Sequence, residues 1–258
     1  MSVVLEHVTK DVRLRGVPKR LFSDLNLEIG GDAHIAVLAL PKSGKTTLLR
    51  YVCGTAQPDA GRIVRNFNVS WPIPQCDFAL PTCSLAWNIR WLARLYGVKD
   101  VEFPRRVASL GGFTEYLNEP MANCPRSVRS QLGFGLGIAM DFDLYLFDNQ
   151  ILPQDKAFKE KALENLQERI AGKAALLATS SAQAVSEWCD KVYVLENGQL
   201  TSFESVEEGV EYYKAMLKAS KQTEAAGRPK GDEDELEAGS DENERGVQMV
   251  QAAIGDII

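Results

Sequence analysis

The 258 residues are 45% apolar and 25% charged, with a formal charge of −6. That length and balance support one large domain or two small ones around a real core, and the acidic charge argues against nucleic acid as the main partner. Five cysteines, an odd number without a C-x-x-C pair or a Cys/His cluster, argue for a reducing compartment and no structural zinc. His7 and His34 are the only histidines and leave little for His-based catalysis. The first residues do not read as a signal peptide, and no apolar stretch reaches the roughly 18–20 residues of a membrane span. The expectation is a cytosolic protein whose membrane role, if any, is peripheral.

In chain order, Val3-Val4-Leu5 and Val12-Arg13-Leu14 read as short strands, and Leu25-Asn26-Leu27-Glu28-Ile29 alternates as a half-buried strand does. Gly30-Gly31-Asp32 turns the chain into an apolar strand over residues 33–38. Next comes Ala39-Leu40-Pro41-Lys42-Ser43-Gly44-Lys45-Thr46-Thr47, followed by the helical run Leu48-Leu49-Arg50-Tyr51-Val52. Strand, loop and helix with Gly-Lys-Thr at the junction is the context of a phosphate-binding loop. Backbone N–H groups at that helix start lack intrahelical partners and suit an anion. Lys45 would reach terminal phosphates and the Thr46 hydroxyl would ligate Mg²⁺. Ala39 stands where the pattern has Gly, so a Cβ there is expected to crowd the loop, and Pro41 removes one N–H. The candidate nucleotide-binding residues are therefore Ala39, Lys42, Ser43, Gly44, Lys45, Thr46 and Thr47.

Gly54, Pro58-Asp59 and Gly61 form a turn into another strand, which argues for α/β architecture. Over residues 82–140 the pattern becomes helical. Ser84 is a candidate N-cap for a helix stopped near Gly97, a second helix covers 103–110, and a Gly-rich one covers 128–140. Trp87 and Trp91, four apart, share a helix face; core packing is the expectation and a docking surface the alternative. Asp143-Leu144-Tyr145-Leu146-Phe147-Asp148 is an apolar strand ending in a carboxylate that can hold Mg²⁺ beside Thr46. Helices follow over 155–170, 182–188 and 206–217, with a strand over 174–178 and a hairpin turning at Asn197-Gly198. Beyond Ala219 the acidic runs Asp232-Glu233-Asp234-Glu235 and Asp241-Glu242-Asn243-Glu244 predict a disordered tail to residue 258 with a short apolar end.

The order of these pieces resembles the ATP-binding subunit of an ABC transporter, and within that family the subunits that export capsular polysaccharide. The resemblance rests on Val69-Ser70-Trp71-Pro72-Ile73, on residues 88–97, 128–136 and 155–161, and on Glu187-Trp188-Cys189-Asp190. It implies a P-loop NTPase fold of the ABC type over residues 1–218, α/β, with an antiparallel β subdomain and a helical insertion at about 82–140. ATP and Mg²⁺ are the implied cofactors. The implied partners are a membrane permease subunit and a second ATP-binding subunit, either itself or a paralogue, on the inner face of the plasma (inner) membrane.

The resemblance also locates departures. Val12 stands where an aromatic stacks on adenine. The glutamine loop falls near Leu80, with Gln75 the nearest glutamine. Pro125, Arg126 and Ser127 occupy the signature motif that grips ATP on the opposing subunit. Asn149 stands at the general base and Ser180 at the switch histidine, while Asp155 is retained. No residue is assigned as catalytic. Asn149 can hydrogen-bond a water but cannot take its proton, and loss of a general base costs about 10²–10⁴ in rate. Mg-nucleotide binding with weakened hydrolysis is the expectation. A non-hydrolytic scaffold or regulatory subunit of the same assembly, or a soluble P-loop kinase, are the alternatives.

Overall fold

The computed structural model describes residues 2–14, 17–153, 155 and 158–226. Positions 156 and 157 of the expected helix, and the acidic runs and apolar end past residue 226, lie outside them.

Strands β1 (Ser2–Leu14), β2 (Val17–Gly30) and β4 (Ala60–Arg65) form an antiparallel sheet in the order β2-β1-β4. The two short strands expected at Val3 and Val12 are one strand. It survives a register shift around His7, whose φ of 53° bends the chain at a bulge without ending the pairing. The second sheet has the order β5-β6-β7-β3-β8-β9, built from β3 (His34–Ala39), β5 (Val69–Ile73), β6 (Leu144–Asp148), β7 (Ala174–Thr179), β8 (Lys191–Glu196) and β9 (Gln199–Ser202). All its pairings are parallel except β8 with β9, which the Asn197-Gly198 turn joins.

Alternation along the central strands divides the interior in two. Ile35, Val37 and Ala39 face the antiparallel sheet and helix α1 (Lys45–Cys53), whose Leu48, Leu49, Tyr51 and Val52 fill that core. Ala36 and Leu38, with Tyr145, Phe147 and Leu177, face the opposite core. There they meet α2 (Leu85–Leu95), α3 (Phe103–Gly111), α4 (Arg126–Ala139), α5 (Lys159–Ile170), α6 (Ala182–Trp188) and α7 (Val206–Ala226). Both faces of the parallel sheet are therefore covered, which is why its strands read as unbroken apolar runs. Contacts divide the chain after Ala219. Helix α7 runs on to Ala226, past the end expected near Leu217, so the tail expected from Ala219 begins as helix.

Ser84 caps α2 as expected, accepting the Trp87 N–H at 3.2 Å. The Trp87–Trp91 pair departs from core packing. The rings stack at 6.5 Å and 6°, with Trp91 half-buried against the core and Trp87 41% exposed. Buried Ile89 and Leu92 take the inward face of α2 instead.

The Gly-rich stretch of α4 brings that helix into backbone contact with the end of β5. A Cβ at Gly133 would lie 1.9 Å from the Pro74 carbonyl oxygen. Gly133→Ala is expected to cost about 1–3 kcal/mol by overpacking and to lower the melting temperature by several degrees. Thermal unfolding of the two proteins checks this.

Candidate nucleotide-binding site

The loop between β3 and α1 turns on Gly44, whose φ of 102° is in the left-handed region and whose missing Cβ would sit 3.0 Å from Leu21 and Phe22. The first backbone bond of α1 runs from the Leu48 N–H to the Gly44 carbonyl at 2.9 Å. The N–H groups of Lys45, Thr46 and Thr47 are thus the free donors of a helix start and favour negative charge. Ala39 does not crowd the loop: it ends β3 fully buried in ordinary strand conformation. The strain falls on Lys42 instead, an exposed residue with φ 61°, a conformation costing roughly 1–2 kcal/mol for an L side chain. Ser43 closes the loop on itself, its hydroxyl donating to the Leu40 carbonyl at 2.7 Å.

Lys45 is 6% exposed. Its ammonium has three protons and three acceptors: Ala39 O at 3.1 Å, Leu40 O at 2.8 Å and Ser180 Oγ at 3.0 Å. Burial pulls its pKa below the usual lysine value, and the nearby Asp148 carboxylate opposes that shift. Ser180, at the end of β7, gives its own proton to Ala39 O at 2.8 Å.

Asp148 ends β6 almost buried. Three donors meet its carboxylate: Thr46 Oγ1 at 2.8 Å, Gln75 Nε2 at 2.5 Å and Asn149 Nδ2 at 3.1 Å. Gln75, the glutamine nearest to the position expected at Leu80, is thus one of these donors. Register pairs Ile73 with Phe147, so two residues beyond β5 the chain lies beside Asp148. Leu80 is instead stapled to buried Asn88, through Leu80 N–H to Oδ1 at 2.7 Å and Nδ2 to Leu80 O at 3.1 Å.

A carboxylate, a hydroxyl and a side-chain amide form an oxygen-rich set that suits Mg²⁺, which prefers one or two protein carboxylates completed by phosphate and water. Clusters of three or more His, Cys, Asp or Glu able to hold a metal are absent among the described residues.

Asn149 is exposed at φ 65°, held by its N–H on Ala178 O at 2.8 Å and by the Thr179 hydroxyl on its carbonyl at 3.0 Å. Asn tolerates that region because its short polar side chain bonds locally. Pro125, Arg126 and Ser127 are not part of this cluster. They are exposed at the start of α4, make no hydrogen bond to the loop, and α4 begins without a side-chain cap. Val12 lies half-buried in β1. Asp155 lies outside any helix and accepts the Phe158 N–H at 3.2 Å.

The two sheets, the helical layer and this loop define an ABC-type nucleotide-binding domain. Its fold is similar to that of a solved ATP-binding subunit of an ABC transporter, with a TM-score of 0.70 at 17% identity over 84% of this chain and 100% of that one. The polysialic acid transport ATP-binding protein KpsT of Escherichia coli is 32% identical over 218 residues, covering 82% of this chain and 96% of KpsT. The capsule polysaccharide export ATP-binding protein CtrD of Neisseria meningitidis serogroup B is 29% identical, covering 83% and 99%. No protein-family model matches. The chain belongs to the family of ABC transporter ATP-binding subunits of the capsular polysaccharide export type, which leaves no place for the kinase alternative.

Asn149→Glu is expected to lower stability by about 1–2 kcal/mol in the absence of metal, because a longer side chain enters the left-handed region and a second carboxylate adjoins Asp148. Thermal unfolding with and without Mg²⁺ checks this, with the cation expected to recover part of the loss.

Proposed function

We propose that this chain is the ATP-binding subunit of an exporter of capsule-type polysaccharide, and that it holds Mg²⁺-ATP while hydrolysing it weakly. The observation that carries the reading is the meeting of Thr46 and Gln75 on the Asp148 carboxylate, with the buried Lys45 ammonium near enough to feel that charge. In this reading Lys45 and the N–H groups at the start of α1 bind phosphate, assisted by Lys42, Ser43, Gly44 and Thr47. Thr46 and Asp148 hold Mg²⁺, with Gln75 beside them. Bound Mg²⁺ neutralises charge on the phosphate oxygens.

Asn149 orients water without taking its proton, since its amide has no basic lone pair. Ser180 offers a single proton that is already given to Ala39 O. Pro125 brings no N–H to the signature position, and Ser127 replaces its glycine. Both halves of a composite dimer site are thereby weakened. A homodimer is nearly inactive, and a heterodimer with an active paralogue retains one impaired site. The permease subunit is the membrane partner, and the exposed Trp87 with Arg90 and Arg94 on α2 supplies an aromatic and cationic face for it. No helix among the described residues is long and apolar enough to cross a membrane, which fits a subunit peripheral to the inner face of the plasma (inner) membrane. Nucleic acid has no part in this function.

The second reading, a scaffold or regulatory subunit that does not use nucleotide, draws on Pro125 at the signature position. Calorimetric titration separates the two. Wild type is expected to bind Mg²⁺-ATP, and Lys45→Ala to weaken that binding about tenfold or more, the loss of hydrogen bonds to a charged group. Absence of binding in the wild type would leave the scaffold reading.

A further inference from the structure

The C-terminal helix reaches the phosphate loop through one side chain. Tyr213 of α7 is fully buried, and its hydroxyl lies 3.3 Å from Ala39 O and 3.2 Å from Ser180 O. Burial pushes the phenol pKa up, so the group is a neutral donor. It has one proton for two carbonyls.

Lone pairs around Ala39 O are oversubscribed. Lys45 Nζ, Ser180 Oγ and Tyr213 OH all stand within 3.3 Å of an oxygen with two lone pairs. While Lys45 and Ser180 fill it, the Tyr213 proton is left to Ser180 O. When Lys45 turns to a phosphate, one lone pair on Ala39 O is freed. Leu40 O, which Lys45 also leaves, keeps the Ser43 hydroxyl. Among the described contacts Tyr213 is the donor placed to replace the ammonium, and its one proton is then shared, as a three-centre bond, between the carbonyls at the ends of β3 and β7.

We propose that Tyr213 is a positioning residue that couples helix α7 to nucleotide occupancy, its hydroxyl taking up the Ala39 carbonyl that Lys45 releases to phosphate. The coupling rests on the reading of residues 39–47 as a nucleotide site. Because coupling between two equilibria is reciprocal, tighter docking of α7 strengthens nucleotide binding by the factor with which nucleotide tightens α7.

Hydrogen exchange on the full chain, with and without Mg²⁺-ATP, reads the helix directly, while calorimetry reads affinity. In wild type, nucleotide is expected to slow exchange of amides in residues 206–217. Tyr213→Phe keeps the ring and removes the proton. It is expected to abolish that slowing and to weaken nucleotide binding about two- to tenfold, the range of one net hydrogen bond. A purely packing role would instead lower stability while leaving affinity and the nucleotide-dependent exchange of α7 unchanged, and that result overturns the coupling. Should Tyr213→Phe fail to fold, wild-type exchange decides alone: binding without any change in α7 contradicts the proposal. Failure of the wild type to bind nucleotide overturns the site itself, an outcome distinct from binding that leaves α7 untouched.

Discussion

A buried ammonium sets the terms for this structure. Lys45 lies 6% exposed, and a charge so placed costs several kcal/mol unless oxygen atoms replace its water. Those oxygens come from the end of β3, from the loop and from the end of β7. Parallel register of β3 with β7 holds Leu38 opposite Thr179, which brings Ala39 and Ser180 to the same end of the sheet. Gly44 supplies the turn that returns the chain to the strand end. The cost of burying Lys45 is thus offset by elements far apart in sequence, and a phosphate entering here competes with acceptors already in place.

Beside the lysine, Asp148 organises a second set of contacts with opposite charge. Thr46, Gln75 and Asn149 each give it a proton, so the carboxylate is satisfied without a cation. In the proposed reading Thr46 and Asp148 would offer oxygen to Mg²⁺ beside a bound phosphate. In the proposed reading the group that would take a proton from water is missing. Asn149 sits where such a group is expected, and its left-handed backbone is locked by Ala178 and Thr179. In the proposed reading the site holds a charged ligand more readily than it transforms one.

Much of this was legible in the chain itself. Apolar runs bounded by turns located the parallel strands, and Gly-Lys-Thr after one of them located the loop, because strand, turn and helix start must be contiguous there. Ser84 and the Asn197-Gly198 turn were readable for the same local reason. Contacts between distant segments were not. Gln75 meets Asp148 only through the pairing of β5 with β6, and Tyr213 meets Ala39 across 174 positions of sequence. Concern about a Cβ at Ala39 dissolved because the strand continues through it, while strain at Lys42 depends on a dihedral no composition reveals. Trp87 misled because helical spacing tells which residues share a face and not whether that face is covered.

The central claim is that the site keeps its phosphate grip and has lost its base. Single-turnover hydrolysis tests it most directly, with enzyme in excess over Mg²⁺-ATP so that every nucleotide is bound and only the chemical step is followed. The account predicts bound ATP that persists, with cleavage about 10²–10⁴ slower than that of a cassette carrying the glutamate base. Cleavage at the rate of such a cassette, abolished by Lys45→Ala, would contradict it.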